Sequence, residues 1–180
     1  MREKSDFLAE IKSMDNGLPI NRTKFTAMPA TIDVLEVVYA GLTNKLHGEI
    51  LVTQANRINY TLREPFGVVG AIVPWNFPLI LTMWKLAPVF TAGNTLVIKL
   101  AGQTPFSILE LVKIFQEVGL SDGVINVIPV FGHTAGAAIV SHPGIDRIAF
   151  PVSNRTGQQS ASKNLKPFIL ELGGVTKHNF

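Results

Sequence analysis

The sequence has no cysteine among its 180 residues. This absence excludes disulfide bonds, thiolate metal sites and a cysteine nucleophile supplied by this chain. Histidine is scarce as well, and the four histidines lack the spacing of metal ligands. They are His47, His133, His142 and His178. We therefore predict no metal site.

Charged residues are also few, and the two signs nearly balance. They make up 16% of the chain, and 16 Lys and Arg against 13 Asp and Glu leave a net charge of +3. The basic excess is spread without blocks, so nothing indicates a nucleic-acid partner. Apolar residues reach 47%, which excludes intrinsic disorder and favours a buried core.

One uncharged stretch, 65–84, is 20 residues long and could span a bilayer on length alone. It contains three prolines and two glycines, which would leave backbone groups unpaired in hydrocarbon. We therefore predict a buried strand, a turn and a helix here, and no membrane partner. The start of the chain lacks the apolar core of a secretory signal, so we expect it in the cytoplasm or an organelle matrix.

The first third of the chain predicts helices followed by a hairpin. Apolar residues at helical spacing indicate an amphipathic helix that ends at Asn16-Gly17. A second helix is predicted from about Ala30 to Leu46. Apolar and polar residues then alternate between Gly48 and Arg63, which favours a β-hairpin exposed on one face.

From Phe66 onward, near-continuous apolar runs alternate with segments of helical pattern, as in a parallel sheet covered on both faces. The clearest helix follows Thr104-Pro105, with Thr104 as its predicted N-cap. We predict an α/β fold: a doubly wound, mostly parallel, Rossmann-like sheet with N-terminal helices and a β-hairpin. Residues 1–64 would form the helices and hairpin, and residues 65–180 a cofactor-binding domain. The five predicted strands are Gly67–Val73, Thr95–Ile98, Val124–Ile128, Arg147–Phe150 and Phe168–Leu170.

Ligands of such sheets bind beyond the carboxyl ends of the strands, where two predicted strands end in unusual polar residues. Asn76 lies between Pro74 and Pro78, so its amide is a rigidly mounted donor for an oxyanion or a turn residue that satisfies local backbone. Lys99 ends an apolar strand. Its ammonium could bind ribose hydroxyls or phosphate in the crevice, or could belong to an edge residue that reaches solvent.

Three further segments follow predicted strands. The turns at 130–136 and 150–157 carry glycines and open helices, where backbone N–H groups favour phosphate. Neither spells the G-x-G-x-x-G fingerprint, so both also fit ordinary strand-to-helix turns. Glu171 precedes Gly173-Gly174 at the end of an apolar strand, which suits a general base or a carboxylate paired with a nearby Lys or Arg.

Taken in order, these segments resemble the aldehyde dehydrogenase family over nearly the whole chain. The matching stretches are Arg63-Glu64-Pro65-Phe66-Gly67-Val68-Val69-Gly70, Pro74-Trp75-Asn76-Phe77-Pro78, Leu96-Val97-Ile98-Lys99, Gln103-Thr104-Pro105, Thr134-Ala135-Gly136 and Leu170-Glu171-Leu172-Gly173-Gly174. The resemblance implies oxidation of an aldehyde to a carboxylic acid with NAD or NADP, through a cysteine thioester. Asn76 would be the oxyanion-hole amide and Glu171 the general base.

The resemblance also assigns the residues that hold the cofactor. Lys99 would contact the adenosine ribose and Ser153 the pyrophosphate, while Ile72 and Trp75 would line the cleft. The full set expected to bind the cofactor is Ile72, Trp75, Lys99, Gly132, Gly136 and Ser153.

The departures from the family pattern are equally informative. The family's cysteine follows its Leu-Glu-Leu-Gly-Gly motif in a separate catalytic domain, which we expect to be missing here. Pro151-Val152 replaces Thr-Gly, which should weaken phosphate binding, and Gly102 stands where a ribose-binding Glu is common. We expect an aldehyde dehydrogenase-like oxidoreductase that is inactive as this chain alone. The alternative is a non-catalytic nucleotide-binding remnant, or a module that forms homo-oligomers or docks on a full-length relative.

Overall fold

The computed structural model describes residues 1–152 and 166–172. Within these residues, six α-helices are separated by loops, strands and short stretches of tighter or wider helix. The α-helices are α1 (Ser5–Asn16), α2 (Ile20–Arg22), α3 (Met28–Asp33), α4 (Pro78–Thr91), α5 (Phe106–Glu117) and α6 (Ala137–Ser141). A 3₁₀ turn occupies Arg2–Lys4, and π-helical segments occupy Thr23–Ala27, Val34–Ala40 and Gly132–Gly136.

The strands form a two-stranded hairpin and a five-stranded parallel sheet, which confirms the predicted fold class. The hairpin strands are β1 (Ile50–Gln54) and β2 (Arg57–Tyr60). The sheet strands are β3 (Val68–Ile72), β4 (Thr95–Lys99), β5 (Ile125–Ile128), β6 (Arg147–Val152) and β7 (Phe168–Leu172). Their order is β5-β4-β3-β6-β7, and every neighbouring pair in it is parallel.

Alternate residues of the sheet strands pack on opposite faces. Val69 and Ala71 of β3 join a core with α4 and α5, whereas Val68 and Ile72 pack with Val140 of α6 and its neighbours. Because both faces are covered, each strand is apolar at nearly every position, which explains the continuous apolar runs in the sequence.

Gly70 marks the closest approach between β3 and the α6 side of the sheet. A Cβ added at Gly70 would lie 2.5 Å from Ile139 Cγ2 and 3.0 Å from Ile145 Cγ2. Both distances are shorter than van der Waals contact, so the glycine lets α6 pack tightly on the central strand.

The uncharged stretch 65–84 forms β3, the loop after it and the first half of α4, so the predicted strand, turn and helix are confirmed. Among residues 1–152 and 166–172, no helix combines the length and apolar character needed to cross a membrane.

The first predicted helix is confirmed, and the second begins earlier than expected. Helix α1 ends at Gly17, whose φ of +74° closes the helix in the left-handed conformation. The prediction of a helix starting near Ala30 was wrong: helical backbone starts at Ile20 and continues to Ala40. Pro29 does not stop it, because it lies in the first turn of α3 directly after a wider π-helical turn.

The predicted N-cap of α5 was also wrong. The Thr104 hydroxyl donates to the Trp75 carbonyl at 3.3 Å and makes no cap with α5. Instead, Asp15 Oδ2 of α1 accepts hydrogen bonds from the backbone N–H groups of Phe106 (2.9 Å) and Ser107 (3.4 Å). A carboxylate from a distant helix therefore satisfies the first turn of α5 and binds α1 to it.

The hairpin lies apart from both cores. Every residue of β1 and β2 is exposed, so the predicted one-sided exposure was wrong: neither face is covered by the described part of the chain. The alternating apolar residues still share one face of the hairpin, where Ile50 pairs with Tyr60, and this face is exposed.

Lys12 of α1 is fully buried, with 0% of its surface exposed. Its amine has no hydrogen-bond partner among the described residues and lies 5.9 Å from the centre of the Phe77 ring. Burial lowers the pKa of Lys12 below its ordinary value, because the charged form is poorly solvated.

We predict that Lys12→Met stabilises the fold. Methionine fills a similar volume without burying an amine, so the free energy of unfolding should rise by about 1–3 kcal/mol at neutral pH. The pKa of Lys12 is lower in the folded than in the unfolded chain. The charge of Lys12 therefore destabilises the fold fully at a pH below its pKa in the folded chain, and no longer at a pH above its pKa in the unfolded chain. Chemical denaturation of the parent between these two pKa values should show a free energy of unfolding that rises with pH.

The variant Lys12→Met should lose that slope. Lys113→Met serves as a control, because the Lys113 side chain is 61% exposed and pairs with Glu110. An unchanged slope in Lys12→Met, or equal effects of the two substitutions, would contradict this account of Lys12.

Candidate functional site

The carboxyl ends of β3, β4 and β6 meet at one edge of the sheet, where the direction of winding reverses. From β3 the chain first adds β4 and β5 on one side and then β6 and β7 on the other. The loop that leaves β3 leads to α4 on one face of the sheet, and the segment that leaves β5 leads to α6 on the other face. Ligands of such sheets bind at this edge. Ile72 and Lys99, which are paired in register, end their strands at this edge.

Lys99 lies on the α6 face of the sheet, beneath the segment Gly132–Gly136. A Cβ added at Gly132 would lie 3.8 Å from Lys99 Nζ. β4 is an interior strand, so the alternative of a residue at the edge of the sheet was wrong, and Lys99 as a whole is largely buried at 8% exposed. Burial lowers the pKa of Lys99, and no carboxylate of the described residues forms an ion pair with it.

Ile72 belongs to the same cluster as Lys99. Its Cδ1 would lie 3.5 Å from a Cβ at Gly136, which is buried. Four of the six predicted cofactor-binding residues thus come together on one face: Ile72, Lys99, Gly132 and Gly136. Ser153 lies outside the described residues.

Trp75 and Asn76 lie in the loop that joins β3 to α4. Trp75 is 59% exposed, and Asn76 is exposed as well. Within the described part of the chain, the side-chain amide of Asn76 forms no hydrogen bond, so it is not used to satisfy local backbone. The backbone of the loop is held from outside: Asn16 Nδ2 donates to the carbonyls of Trp75 (2.8 Å) and Asn76 (3.3 Å).

Glu171 lies on the opposite face of the sheet from Lys99. Its Oε1 is 2.5 Å from Nζ of Lys85 in α4, so the alternative of a paired carboxylate describes this conformation. The Lys85 side chain is 3% exposed and that of Glu171 39%. A groove of about 270 Å³ lies beside the pair, lined in part by Phe66, Trp84 and Ile169.

The predicted residues therefore form two groups separated by the sheet. The α6 face carries Lys99 with its three neighbours, and the α4 face carries Glu171 with Lys85. The loop that carries Asn76 follows the carboxyl end of β3. In the sheet, β3 lies between β4, which carries Lys99, and β6, which pairs with the strand of Glu171. One face offers a buried amine beside small residues, and the other a carboxylate held by a buried amine.

The amino-acid sequence of the chain matches a known protein family. A sequence model described as "Aldehyde dehydrogenase family" matches residues 1–178. The chain belongs to the aldehyde dehydrogenase family.

Individual relatives agree with this membership. An aldehyde dehydrogenase from Emericella nidulans is 47% identical over 178 residues, which span 97% of this chain and 35% of that protein. Human retinaldehyde dehydrogenase 3 is 45% identical over 171 residues, or 93% of this chain and 33% of its own length. The chain thus spans about a third of the length of these aldehyde dehydrogenases.

Solved structures of other proteins share the fold. PnpE in complex with nicotinamide adenine dinucleotide superposes with a TM-score of 0.92 at 42% identity, covering 96% of this chain and 36% of that one. The NAD⁺ complex of aldehyde dehydrogenase from Bacillus cereus gives a TM-score of 0.91 at 41% identity, with the same coverage.

Three residues in and around the candidate site escaped prediction: Asp15, Asn16 and Lys85. Asp15 and Asn16 read from sequence only as the end of a helix, and their targets lie 59 to 92 positions further on. Lys85 had a usable signal, because it is the first charge after the uncharged stretch 65–84 and falls within a predicted buried helix. An ion pair with a carboxylate compensates a buried lysine, and Glu171 was one candidate for that partner.

We predict that Glu171→Ala destabilises the chain by about 1–3 kcal/mol, because it leaves the Lys85 amine buried without its carboxylate. Lys85→Met should cost less, since Glu171 can turn to solvent, and it should largely remove the effect of Glu171→Ala in the double variant. Denaturant unfolding of the four proteins measures this coupling.

The exposed pair Lys113–Glu110 is the matched control, with an expected coupling below about 1 kcal/mol. Equal coupling energies for the two pairs would show that burial of Lys85 has no energetic role.

Proposed function

We propose that this chain is the cofactor-binding part of an aldehyde dehydrogenase. It would bind NAD or NADP at the carboxyl edge of its sheet and present an oxyanion donor and a general base to an aldehyde. With no cysteine in the sequence, it would be inactive as an isolated chain and would oxidise an aldehyde only beside a thiolate supplied by other protein.

The proposal rests on the amine of Lys99, which has no ion-pair partner in the part of the chain that the structure describes. A buried ammonium without a carboxylate is unfavourable unless a ligand supplies hydrogen-bond acceptors. Ribose hydroxyls and phosphates are such acceptors, and the small residues Gly132 and Gly136 leave room above Lys99 and Ile72. The described residues therefore fit a dinucleotide on this face.

The bound cofactor would supply the hydride acceptor. The Asn76 side-chain amide, which forms no hydrogen bond with residues 1–152 and 166–172, would donate to the oxygen that gains negative charge when the aldehyde is attacked. Glu171 would accept a proton from water during hydrolysis of the acyl group, and Lys85 would hold its carboxylate on the α4 face until then.

Cofactor preference follows from a single substitution. Gly102 removes the carboxylate that commonly contacts the ribose in the family, and no Cβ at this position would meet another atom within 4 Å. The missing negative charge relaxes discrimination against a 2′-phosphate. We therefore propose that the chain accepts NADP as well as NAD.

We predict that Lys99→Ala weakens binding of NAD and of NADP by about tenfold or more, because a charge-assisted hydrogen bond is worth about 1.5–3 kcal/mol. Titration calorimetry with each cofactor measures the effect. Lys113→Ala, a change of an exposed lysine on α5, should leave both affinities unchanged. The purified chain should produce no NADH from aldehydes.

Absence of binding to both cofactors by the parent chain would refute the cofactor-binding role. Equal affinities of parent and Lys99→Ala would refute the assignment of Lys99. Turnover of aldehyde without any added protein would show that the chain uses a nucleophile other than cysteine.

The exposed hairpin favours a second candidate function, docking on a full-length relative through the strand that carries Tyr60. Its apolar side chains are largely exposed, with Ile50 at 75%, Ile58 at 82% and Tyr60 at 65%. Exposed apolar surface of this kind is typical of an interface, and the free edges of a two-stranded hairpin can pair with another strand. We propose that a complete aldehyde dehydrogenase subunit covers this face.

We predict that Ile58→Lys abolishes co-purification of the chain with a complete relative, because a charge would be buried in the interface. Asn59→Lys is the matched control: Asn59 pairs with Leu51 and hydrogen-bonds Thr53, so it points to the other face. Co-expression followed by size-exclusion chromatography with light scattering measures the complex. A complex that survives Ile58→Lys would remove this candidate. A parent chain that elutes as a monodisperse monomer after co-expression would remove it as well.

A further inference from the structure

We propose that Asn16 is a positioning residue for Asn76: its side-chain amide sets the direction in which the oxyanion donor points. This inference rests on the role proposed above for Asn76. It is carried by the two hydrogen bonds that join the end of α1 to the loop between β3 and α4.

The two carbonyls bound by Asn16 flank the Cα atom of Asn76. The Trp75 carbonyl belongs to the peptide plane before this Cα, and the Asn76 carbonyl belongs to the plane after it. Peptide units are planar, so fixing both planes fixes the two backbone dihedrals between them. The direction of the Cα–Cβ bond follows, and with it the region that the Asn76 amide can reach.

A primary amide suits this task because its nitrogen carries two N–H donors. Nδ2 of Asn16 lies 2.8 Å from the Trp75 oxygen and 3.3 Å from the Asn76 oxygen. The Thr104 hydroxyl is a second donor to the Trp75 carbonyl, at 3.3 Å. The Asn76 carbonyl accepts its hydrogen bond from Asn16. Pro74 and Pro78 lack N–H groups, so the loop has few backbone donors with which to hold itself.

Asn16 can act as a clamp because the end of α1 is itself held in place. Gly17 N–H bonds to the Ser13 carbonyl at 2.9 Å, and the Ser13 hydroxyl bonds to the Leu18 carbonyl at 2.7 Å. Asp15 caps α5 through Phe106 and Ser107. Adjacent residues of one helical turn thus bind α5 and the Asn76 loop, which fixes the loop relative to the core.

The decisive variant is Asn16→Asp, which keeps the shape of the side chain but replaces both N–H donors with an acceptor. A carboxylate facing two carbonyl oxygens repels them, so the loop should leave its position. The readout is the two-dimensional ¹⁵N–¹H spectrum of the labelled chain without cofactor. It reports the Asn76 side-chain amide, assigned through Asn76→Ala, and the indole N–H of Trp75, assigned through Trp75→Phe.

We expect Asn16→Asp to shift or broaden the Asn76 amide and Trp75 indole signals while the indole signal of Trp84 stays in place. Trp84 lies in α4 and lines the groove beside Lys85, so its signal reports that α4 keeps its place on the sheet. If Asn16→Asp does not fold, Asn16→Ala carries the same expectation, because it removes the donors without adding a charge.

Asn126→Asp is the matched control. Asn126 Nδ2 also donates to two backbone carbonyls, those of Gly123 (2.7 Å) and Leu96 (3.4 Å), at the far end of the sheet. It should leave the Asn76 and Trp75 signals unchanged. Shifts of these two signals that are no larger in the Asn16 variants than in Asn126→Asp would overturn the inference.

Cofactor titration of the same samples separates this inference from the proposed function. A parent chain that binds NAD, combined with an Asn76 signal insensitive to Asn16, refutes the positioning role alone. A parent chain that binds no cofactor, combined with an Asn76 signal that moves in Asn16→Asp, refutes the proposed function and leaves the clamp established.

Discussion

The central position of β3 is the constraint on which the candidate site depends. Parallel pairing with β4 on one side and β6 on the other aligns the carboxyl ends of three strands at one edge, where the order of the strands reverses direction. Lys99 reaches the site as the register partner of Ile72, and Asn76 follows four residues after β3 ends. Gly70 allows this packing, because a side chain there would push α6 away from the sheet.

Three buried lysines show how differently this fold treats a desolvated amine. The Lys12 amine lies near the Phe77 ring and has no hydrogen-bond partner among the described residues, so its burial lowers the free energy of unfolding. Lys85 is compensated by Glu171 across the α4 face. Lys99 has no protein partner among the described residues and opens toward the crevice, which is where a ligand would compensate it. The distinction between a structural cost, an ion pair and a binding residue comes from surroundings and not from residue type.

Membership of the aldehyde dehydrogenase family and the absence of cysteine together define the functional question for this chain. Most of the residues proposed to hold a dinucleotide and polarise a carbonyl lie in the described part of the chain, whereas the sequence contains no thiol. The exposed apolar side chains of the hairpin are the kind of surface that protein interfaces use.

Sequence alone determined the fold class, the strands and the residues at their carboxyl ends, because continuous apolar runs and glycine or proline punctuation are local signals. Only the tertiary structure decided which partner each polar group has. Thr104 follows the local pattern of an N-cap, yet Asp15 caps α5 from 91 residues away, and Asn16 holds a loop 59 and 60 residues distant. The start of the second helix and the exposure of both hairpin faces were likewise decided by packing, since a pattern of residues specifies which face is apolar but not what covers it.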